Sequence, residues 1–533
     1  MDCTAQRLSY RQTGAFSKIV LDYLDDAEQL RSFYSHRPTR DGIKNAVSER
    51  KQFSTNRNVL VKHLQQQYAN VQMNETVKKN IDLLLSENTF TVTTAHQPNL
   101  FTGPLYFLYK ILHAIKLAAS LKTEMPQYNF VPVYYMGSED ADVDELAHFW
   151  LNGEKKEWST DQSGAFGRFV TNKELVKMMD ALAGELGVQP FGNELIEKLR
   201  NYYKVGTTIQ QAIFALVNDL FAEYGLMVLI ADDALLKQQM SAVFEDELMN
   251  HNSSKLVEAT AKQLEQHYKV QAGSREINLF YLDEDVRERI EAKGNGYAVA
   301  NTTIEFTKEA MLQELKEHPE RFSPNVILRG LFQETILPNI AFIGGGGEIA
   351  YWLELKAVFD FYKVPFPVLV LRNSFLIVEA KWQEKMKKLS LSVEELFQPA
   401  EILLNEMVLK TSSHTLKLNG SVTEAEALYE QLKKLSAAVD PTLVNHVEAL
   451  KTKTLYRLQE LEKKIFRAEK RKFDEQRRQI EQLKAALFPK NGLQERVDNF
   501  SMYYAKWGRE FIQMLYEHSL SLEQEFVVVE VDG

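Results

Sequence analysis

The chain has 533 residues, 45% of them apolar and 26% charged, and a formal net charge of −10. That length exceeds one ordinary hydrophobic core and predicts a globular protein of two to four domains. The acidic balance argues against a nucleic-acid binder and points to small molecules or a second copy as partners.

Cys3 is the single cysteine, so neither an intrachain disulfide nor a cysteine-based metal cluster is expected, and no metal is predicted. The opening MDCTAQRLSY has no apolar signal core. No apolar run approaches the roughly 20 residues of a membrane helix, so the reading is cytoplasmic with no membrane partner.

Along the chain, short apolar runs predict buried strands at Thr91–Thr94, Phe130–Met136, Leu226–Ile230, Asn325–Leu328, Ile340–Ile343 and Pro367–Leu371. Helical stretches such as Leu105–Leu121 and Thr207–Tyr224 lie between them. This alternation predicts an α/β protein with a parallel sheet covered by helices on both faces. Ligands of such sheets bind at the carboxyl ends of the strands. The polar, poorly periodic stretches 152–204 and 255–323 read as inserted subdomains.

Four segments carry candidate chemistry. TVTTAHQPNLFTGPLY (91–106) places His96, Gln97, Asn99 and Thr102 at a strand's carboxyl end. There a histidine either stabilises charge and moves a proton or only orders its loop. GSEDADVDELAH (137–148) holds five carboxylates in seven residues. Glu139 and Asp140, nearest the strand end, suit an amine or hydroxyl group, and the others suit an acidic helix start. It lacks the glycine and closing glutamate of a calcium loop. NVILRGLFQ (325–333) spaces Arg329 and Gln333 one helical turn apart, and arginine suits a carboxylate or phosphate; an ordinary surface arginine is the other reading. AFIGGGGEIAYWLELK (341–356) sets Gly344, Gly345, Gly346 and Gly347 between a strand and a helix start. This is either a tight turn or a backbone cradle for an anion. It matches neither the dinucleotide fingerprint nor the P-loop.

Residues 420–489 differ from the rest. Ser421 and Glu424 read as a capping box before an apolar stripe at Leu428, Leu432, Leu435 and Val439. Asp440-Pro441 restarts a helix. Its seam runs through Val444, Val447, Lys451, Thr454, Leu458, Leu461, Ile465 and Ala468, a coiled-coil spacing. The seam slips one place and resumes at Phe473, Gln476, Ile480, Leu483 and Leu487. A helix over 440–487 would be about 70 Å long and its partner about 28 Å, so the seam calls for another helix or a second subunit. The basic residues from Arg467 to Arg478 are either a basic patch for phosphates or, since Glu469, Asp474 and Glu475 are interleaved with them, a solvated coil face, the reading preferred. Beyond them, Arg496, Asn499, Tyr503, Tyr504, Lys506 and Trp507 either hold a nucleotide or fasten the coil to the core.

Taken in order, HQPNLFTGPLYFLYK, GSEDADVDELAH, LRGLFQETILPNIAFIGGGGEIAYWLELK, LFPKNGLQERVDNF and YYAKWGREFI resemble the bacillithiol biosynthesis cysteine-adding enzymes, the BshC family. The likeness covers most of the chain. Gln97, Thr102, Gly103 and Pro104 match the family's first motif. Ala95 and His96 stand where glycine and glutamine are usual, Asn99 where glycine is common, and Gly346 where proline is frequent, as in a divergent branch.

The resemblance implies a Rossmann-like parallel-sheet core with inserted subdomains over 1–375, a C-terminal α-helical coiled coil over 376–490 that dimerises, and a segment over 491–533 returning to the core. It implies a ligase joining the cysteine carboxylate to the amine of glucosaminyl malate, with ATP as the expected co-substrate. The implied catalytic set is His96, Gln97, Asn99 and Thr102. The implied substrate-binding set adds Gly103, Tyr106, Glu139, Asp140, His148, Arg329, Gln333, Gly344 to Gly347, Glu348 and Tyr351. Arg496, Asn499, Tyr503 and Lys506 would form a nucleotide site near the coil. A nucleotidyltransferase activating another carboxylate, or a non-catalytic nucleotide-binding scaffold, remains the alternative.

Overall fold

In a computed structural model that describes residues 2–532, the chain divides into two compact units, Met1–Ile377 with Gly492–Gly533 and Val378–Asn491. The first is built on five strands: β1 (Thr89–His96), β2 (Asn129–Met136), β3 (Met227–Ile230), β4 (Asn339–Gly344) and β5 (Val368–Leu371). Their order is β5-β4-β1-β2-β3 and every pairing is parallel. The chain moves outward from β1 through β2 to β3, then returns to the other side of β1 for β4 and β5. The direction of winding therefore reverses between β1 and β4, which opens a crevice at their carboxyl ends.

β1 is buried from Thr89 to Ala95, and its threonines and valine suit a pleated, enclosed strand. Phe90 and Val92 pack with Ile340, Ile343, Val368 and Val370 of the neighbouring strands, with Leu117 and Leu121 of helix α1 (Tyr106–Glu124), and with Ile43 and Val47. β2 carries Pro132, unusual in an inner strand because it donates no ladder hydrogen bond. β3 pairs with β2 only from Val133 onward, so Pro132 lies at an edge on that side.

The run Asn325–Leu328 is not a strand. It opens helix α2 (Val326–Ile336), whose first turn is capped by Asn325 Oδ1 accepting from the Ile327 N–H at 2.8 Å. Three apolar residues after a polar Asn325 carry too little periodicity to separate the two states. The stretch 255–323 contributes to a five-stranded antiparallel sheet, ordered Glu305–Thr307, Gly296–Val299, Val286–Lys293, Leu279–Asp283 and Phe322–Pro324. The terminal strands Cys3–Ser9 and Glu525–Val531 pair antiparallel along their whole length.

The second unit is helical. Asn419–Val439 and Leu443–Lys470 form an antiparallel hairpin, and Asp474–Leu487 follows after a 3₁₀ turn at Arg471–Phe473. That turn falls where the apolar seam slips, so the expected 440–487 helix is broken there, and Leu443–Lys470 spans about 42 Å. Ser421 caps nothing: the first hairpin helix begins two residues earlier, at Asn419. The hairpin closes through Tyr429, whose hydroxyl meets Thr454 Oγ1 at 2.7 Å, and through the Lys451–Glu430 and Lys433–Glu448 pairs. The stripe Leu428, Leu432, Leu435 and Val439 therefore does not face the second helix and is exposed. Lower down, Ile480, Leu483 and Leu487 are buried on a helix that packs against Ala380–Leu389 and Ala400–Thr411. Among the described residues, no helix is long and apolar enough to cross a membrane.

Candidate active site

The carboxyl ends of β1, β2, β4 and β5 open into one cavity of about 340 Å³. β1 delivers His96 and Gln97, β2 delivers Gly137 and Asp140, β4 delivers Gly345 to Gly347, and β5 delivers Arg372. α1 contributes Tyr106 and Lys110 one turn apart, and α2 contributes Arg329. Helix α3 (Gly346–Trp352) adds Glu348 and Tyr351, and the C-terminal segment adds Arg496. Four cationic side chains thus share the wall with two carboxylates. The balance favours an anionic occupant.

The cations are held differently. Arg329 donates from Nη2 to the Tyr351 hydroxyl at 2.7 Å, while its buried Nη1 has no protein partner. Burial alone would weaken its charge, but Tyr351, Tyr135 and Glu348 beside it hold its pKa above the ordinary arginine range. Lys110 pairs with Glu348 Oε2 and donates to Ala95 O at 2.9 Å. Burial pulls its pKa down and Glu348 opposes that. Glu348 also accepts from the Gly345 N–H at 2.8 Å, so one carboxylate ties α1 to the glycine segment.

His96 sits among these cations. Burial first, then Lys110, Arg372 and Arg329, push its pKa well below the ordinary histidine value, so the imidazole is neutral near pH 7. Its Nε2 is buried with no protein partner. Its ring meets Tyr106 edge-on at 5.3 Å between centroids, and burial raises the Tyr106 phenol to about 12. The wall therefore offers a neutral imidazole, a protonated phenol and a spare guanidinium nitrogen. Such groups can hold an oxyanion or orient a nucleophile.

The glycines do not form a left-handed turn. Gly345 has φ of −72°, and Gly344, Gly346 and Gly347 are likewise absent from the positive-φ positions. Close approach explains Gly344, where a Cβ would lie 2.8 Å from the Phe342 ring. Nothing lies within 4 Å of a Cβ on Gly347, which faces open space.

Several sequence candidates lie off the wall. Asn99, Thr102 and Gly103 belong to a buried loop in which Phe101, Thr102 and Gly103 all have positive φ (48°, 71° and 63°). Asn499 pins that loop, its Nδ2 donating to Phe101 O at 2.9 Å and Gly103 O at 2.6 Å. Glu139 is engaged by Lys237, which also binds Asp232 at 3.0 Å. His148 Nδ1 binds Asp144 O at 2.7 Å. Gln333 is buried and donates to Glu334 Oε1, in a network that continues through Asn339 to Thr91 and Thr93. Tyr503 donates to Asp498 at 2.8 Å, and the Lys506 ammonium lies 5.7 Å from the Trp507 ring centre.

Lys110 and Arg372 were missed. The signal for Lys110 is its place four residues after Tyr106, within the same apolar helix run. The signal for Arg372 is its place directly after a buried strand, where side chains reach the ligand face.

Two family models cover the chain. "Bacillithiol biosynthesis BshC, N-terminal Rossmann-like domain" matches residues 1–373, and "Bacillithiol biosynthesis BshC, C-terminal coiled-coil domain" matches residues 375–531. A protein of Flavobacterium johnsoniae named "Putative cysteine ligase BshC" is 41% identical over 98% of this chain and 99% of its own. Proteins of the same name from Flavobacterium psychrophilum and Christiangramia forsetii are each 40% identical, over 98% of both chains.

Proposed function

The chain belongs to the bacillithiol biosynthesis BshC family, and from that premise we propose that it is a cysteine ligase, forming an amide between the cysteine carboxylate and the amine of glucosaminyl malate. The observation that carries the reading is the meeting of four cations around a neutral histidine at the switch point of the sheet. The malate portion supplies carboxylates for Arg329 and its neighbours. Asp140 is the carboxylate on the cavity wall placed to hold an amine, its Oδ1 lying 3.5 Å from Arg287 Nη2, whereas Glu139 is taken up by Lys237.

Amide formation from a free carboxylate in water needs activation, and ATP is the proposed co-substrate. Its phosphates match the cationic wall. Arg329, Arg372 and Arg496 hold the anionic groups, and Gln97 and His96 orient the reacting carboxylate and amine. A strongly depressed pKa makes His96 a weak base, which supports hydrogen bonding over proton carriage. Asn99, Thr102 and Gly103 act at one remove by fixing the loop that leads into Tyr106.

The exposed stripe Leu428, Leu432, Leu435 and Val439 supports a homodimer through the coil. A cytoplasmic location follows from the proposed pathway step.

The test is incubation of the purified protein with L-cysteine, glucosaminyl malate and ATP, read by mass spectrometry. The expected result is the cysteine amide of glucosaminyl malate. Pyrophosphate exchange dependent on some other acid would favour a nucleotidyltransferase. Tight nucleotide binding with no turnover would favour a scaffold.

A further inference from the structure

We infer that Glu495 is a positioning residue for Arg372, so that the segment after the helical unit sets the anion-holding wall of the cavity. The inference deepens the ligase reading and rests on it for the location of the site.

Arg372 is fixed at its backbone, its N–H donating to Gly344 O at 2.8 Å beside the glycine segment. Its guanidinium is fixed as well. Nη2 donates to Glu495 Oε1 at 2.7 Å, and Nη1 donates to Asn373 O at 3.0 Å and Ser374 Oγ at 3.2 Å. Three of its five N–H groups are so engaged. Nε remains beside the glycines, 3.5 Å from where a Gly345 Cβ would stand.

Glu495 is wholly buried and does not touch the cavity. It accepts further hydrogen bonds from Ser374 Oγ and the Phe375 N–H, each at 3.2 Å. Its neighbours fasten the same segment: Gln494 exchanges two hydrogen bonds with the Ile377 backbone, Asp498 O accepts from the Leu105 N–H at 2.8 Å, and Asn499 pins the loop before Tyr106. Arg496, between these anchors, points to the wall. A carboxylate so placed decides which edge of Arg372 meets the ligand.

Isothermal titration with L-malate and with inorganic phosphate tests this on the full chain, independently of turnover. Wild type is compared with Glu495→Gln, Arg372→Gln and the double variant. Each single change is expected to weaken binding of at least one probe about 10- to 100-fold. The double variant is expected to bind no more weakly than Arg372→Gln, because both changes act through one guanidinium. In the ligase assay, Glu495→Gln should raise KM for the acceptor more than it lowers kcat.

Wild-type affinity in Glu495→Gln, or losses that multiply in the double variant, would overturn the inference. Should Glu495→Gln fail to fold, Arg372→Gln and the double variant, which removes both charges, decide the matter: equal affinities support the inference, and a weaker double variant overturns it. A wild-type protein that binds neither anion overturns it too. One that binds an anion but forms no amide strikes only the ligase reading, and the variant comparison still stands.

Discussion

Asn499 and Phe101 stand 398 residues apart in sequence, yet the Asn499 amide donates to the Phe101 carbonyl at 2.9 Å. The same amide reaches Gly103 O, so one side chain satisfies two carbonyls of a loop that runs through three left-handed residues. Positive φ at Phe101 and Thr102 is costly without a β-carbon-free residue, and the loop persists because its surroundings over-determine it.

Asn499→Ala should therefore destabilise the protein by about 2–4 kcal/mol, by leaving two buried carbonyls unpaired and releasing the strained loop. Denaturant unfolding measures the loss. Activity should fall as well, because the loop ends at Tyr106 on the cavity wall. Full stability in the variant would remove the pinning role.

His96→Gln should retain most of the activity. The two side chains share hydrogen-bonding capacity, whereas the depressed pKa of His96 leaves it little strength as a base. The pH–rate profile adds a second check, since no limb should move with the substitution. A loss of about 10² or more in kcat would restore acid–base catalysis to this residue.

The pH dependence of stability should report His113. Its Nδ1 accepts from the Asn373 N–H at 3.0 Å and its Nε2 donates to Ser521 O at 2.6 Å, so a second proton has no place. Burial lowers its pKa to about 4. The unfolded chain binds this proton first, near pH 6.5. The stabilisation is therefore complete above pH 6.5 and is lost as pH falls toward 4, by up to about 3 kcal/mol. Buried His96 adds in the same direction. His113→Gln should flatten the fall in unfolding free energy between pH 6.5 and 5; an unchanged slope would assign it to other groups.

The coil should hold two chains together. Leu428, Leu435 and Val439 are 53%, 66% and 84% exposed along one stripe. Each large side chain gains roughly 1.5–3 kcal/mol when buried. Sedimentation should show a dimer at micromolar concentration, and Leu432→Asp with Leu435→Asp should give a monomer without loss of helicity. A monomeric wild type would refute the dimer.

The sequence is most legible where period and position agree. β2, β4 and β5 stand as largely apolar runs and β1 as a run rich in β-branched threonine and valine, and the residues just past them line the cavity. The inserted sheet is hidden because strands such as Val286–Lys293 (VRERIEAK) bury few residues and so show little apolar alternation. Asn325–Leu328 misleads because a half-buried helix start, with Ile327 and Leu328 inside and Val326 exposed, shares its composition with a strand. In the site, polar residues at strand ends are ambiguous in sequence: Glu139 and Asp140 are adjacent, but Lys237 takes the first, while the second lines the cavity beside Arg287. Lys237 lies 98 positions from Glu139, and nothing local announces the pairing. The coil's apolar stripe is visible in the sequence, but Tyr429 and Lys433 turn the adjacent face of that helix inward.

The most direct test of the ligase account is the low-molecular-weight thiol pool of the source cell with this protein deleted, then restored as wild type or as Arg329→Gln. The account predicts that bacillithiol disappears and glucosaminyl malate accumulates on deletion, that wild type reverses both, and that Arg329→Gln, expressed at the same level, does not. Bacillithiol that persists at its normal level in the deleted cell would contradict the account.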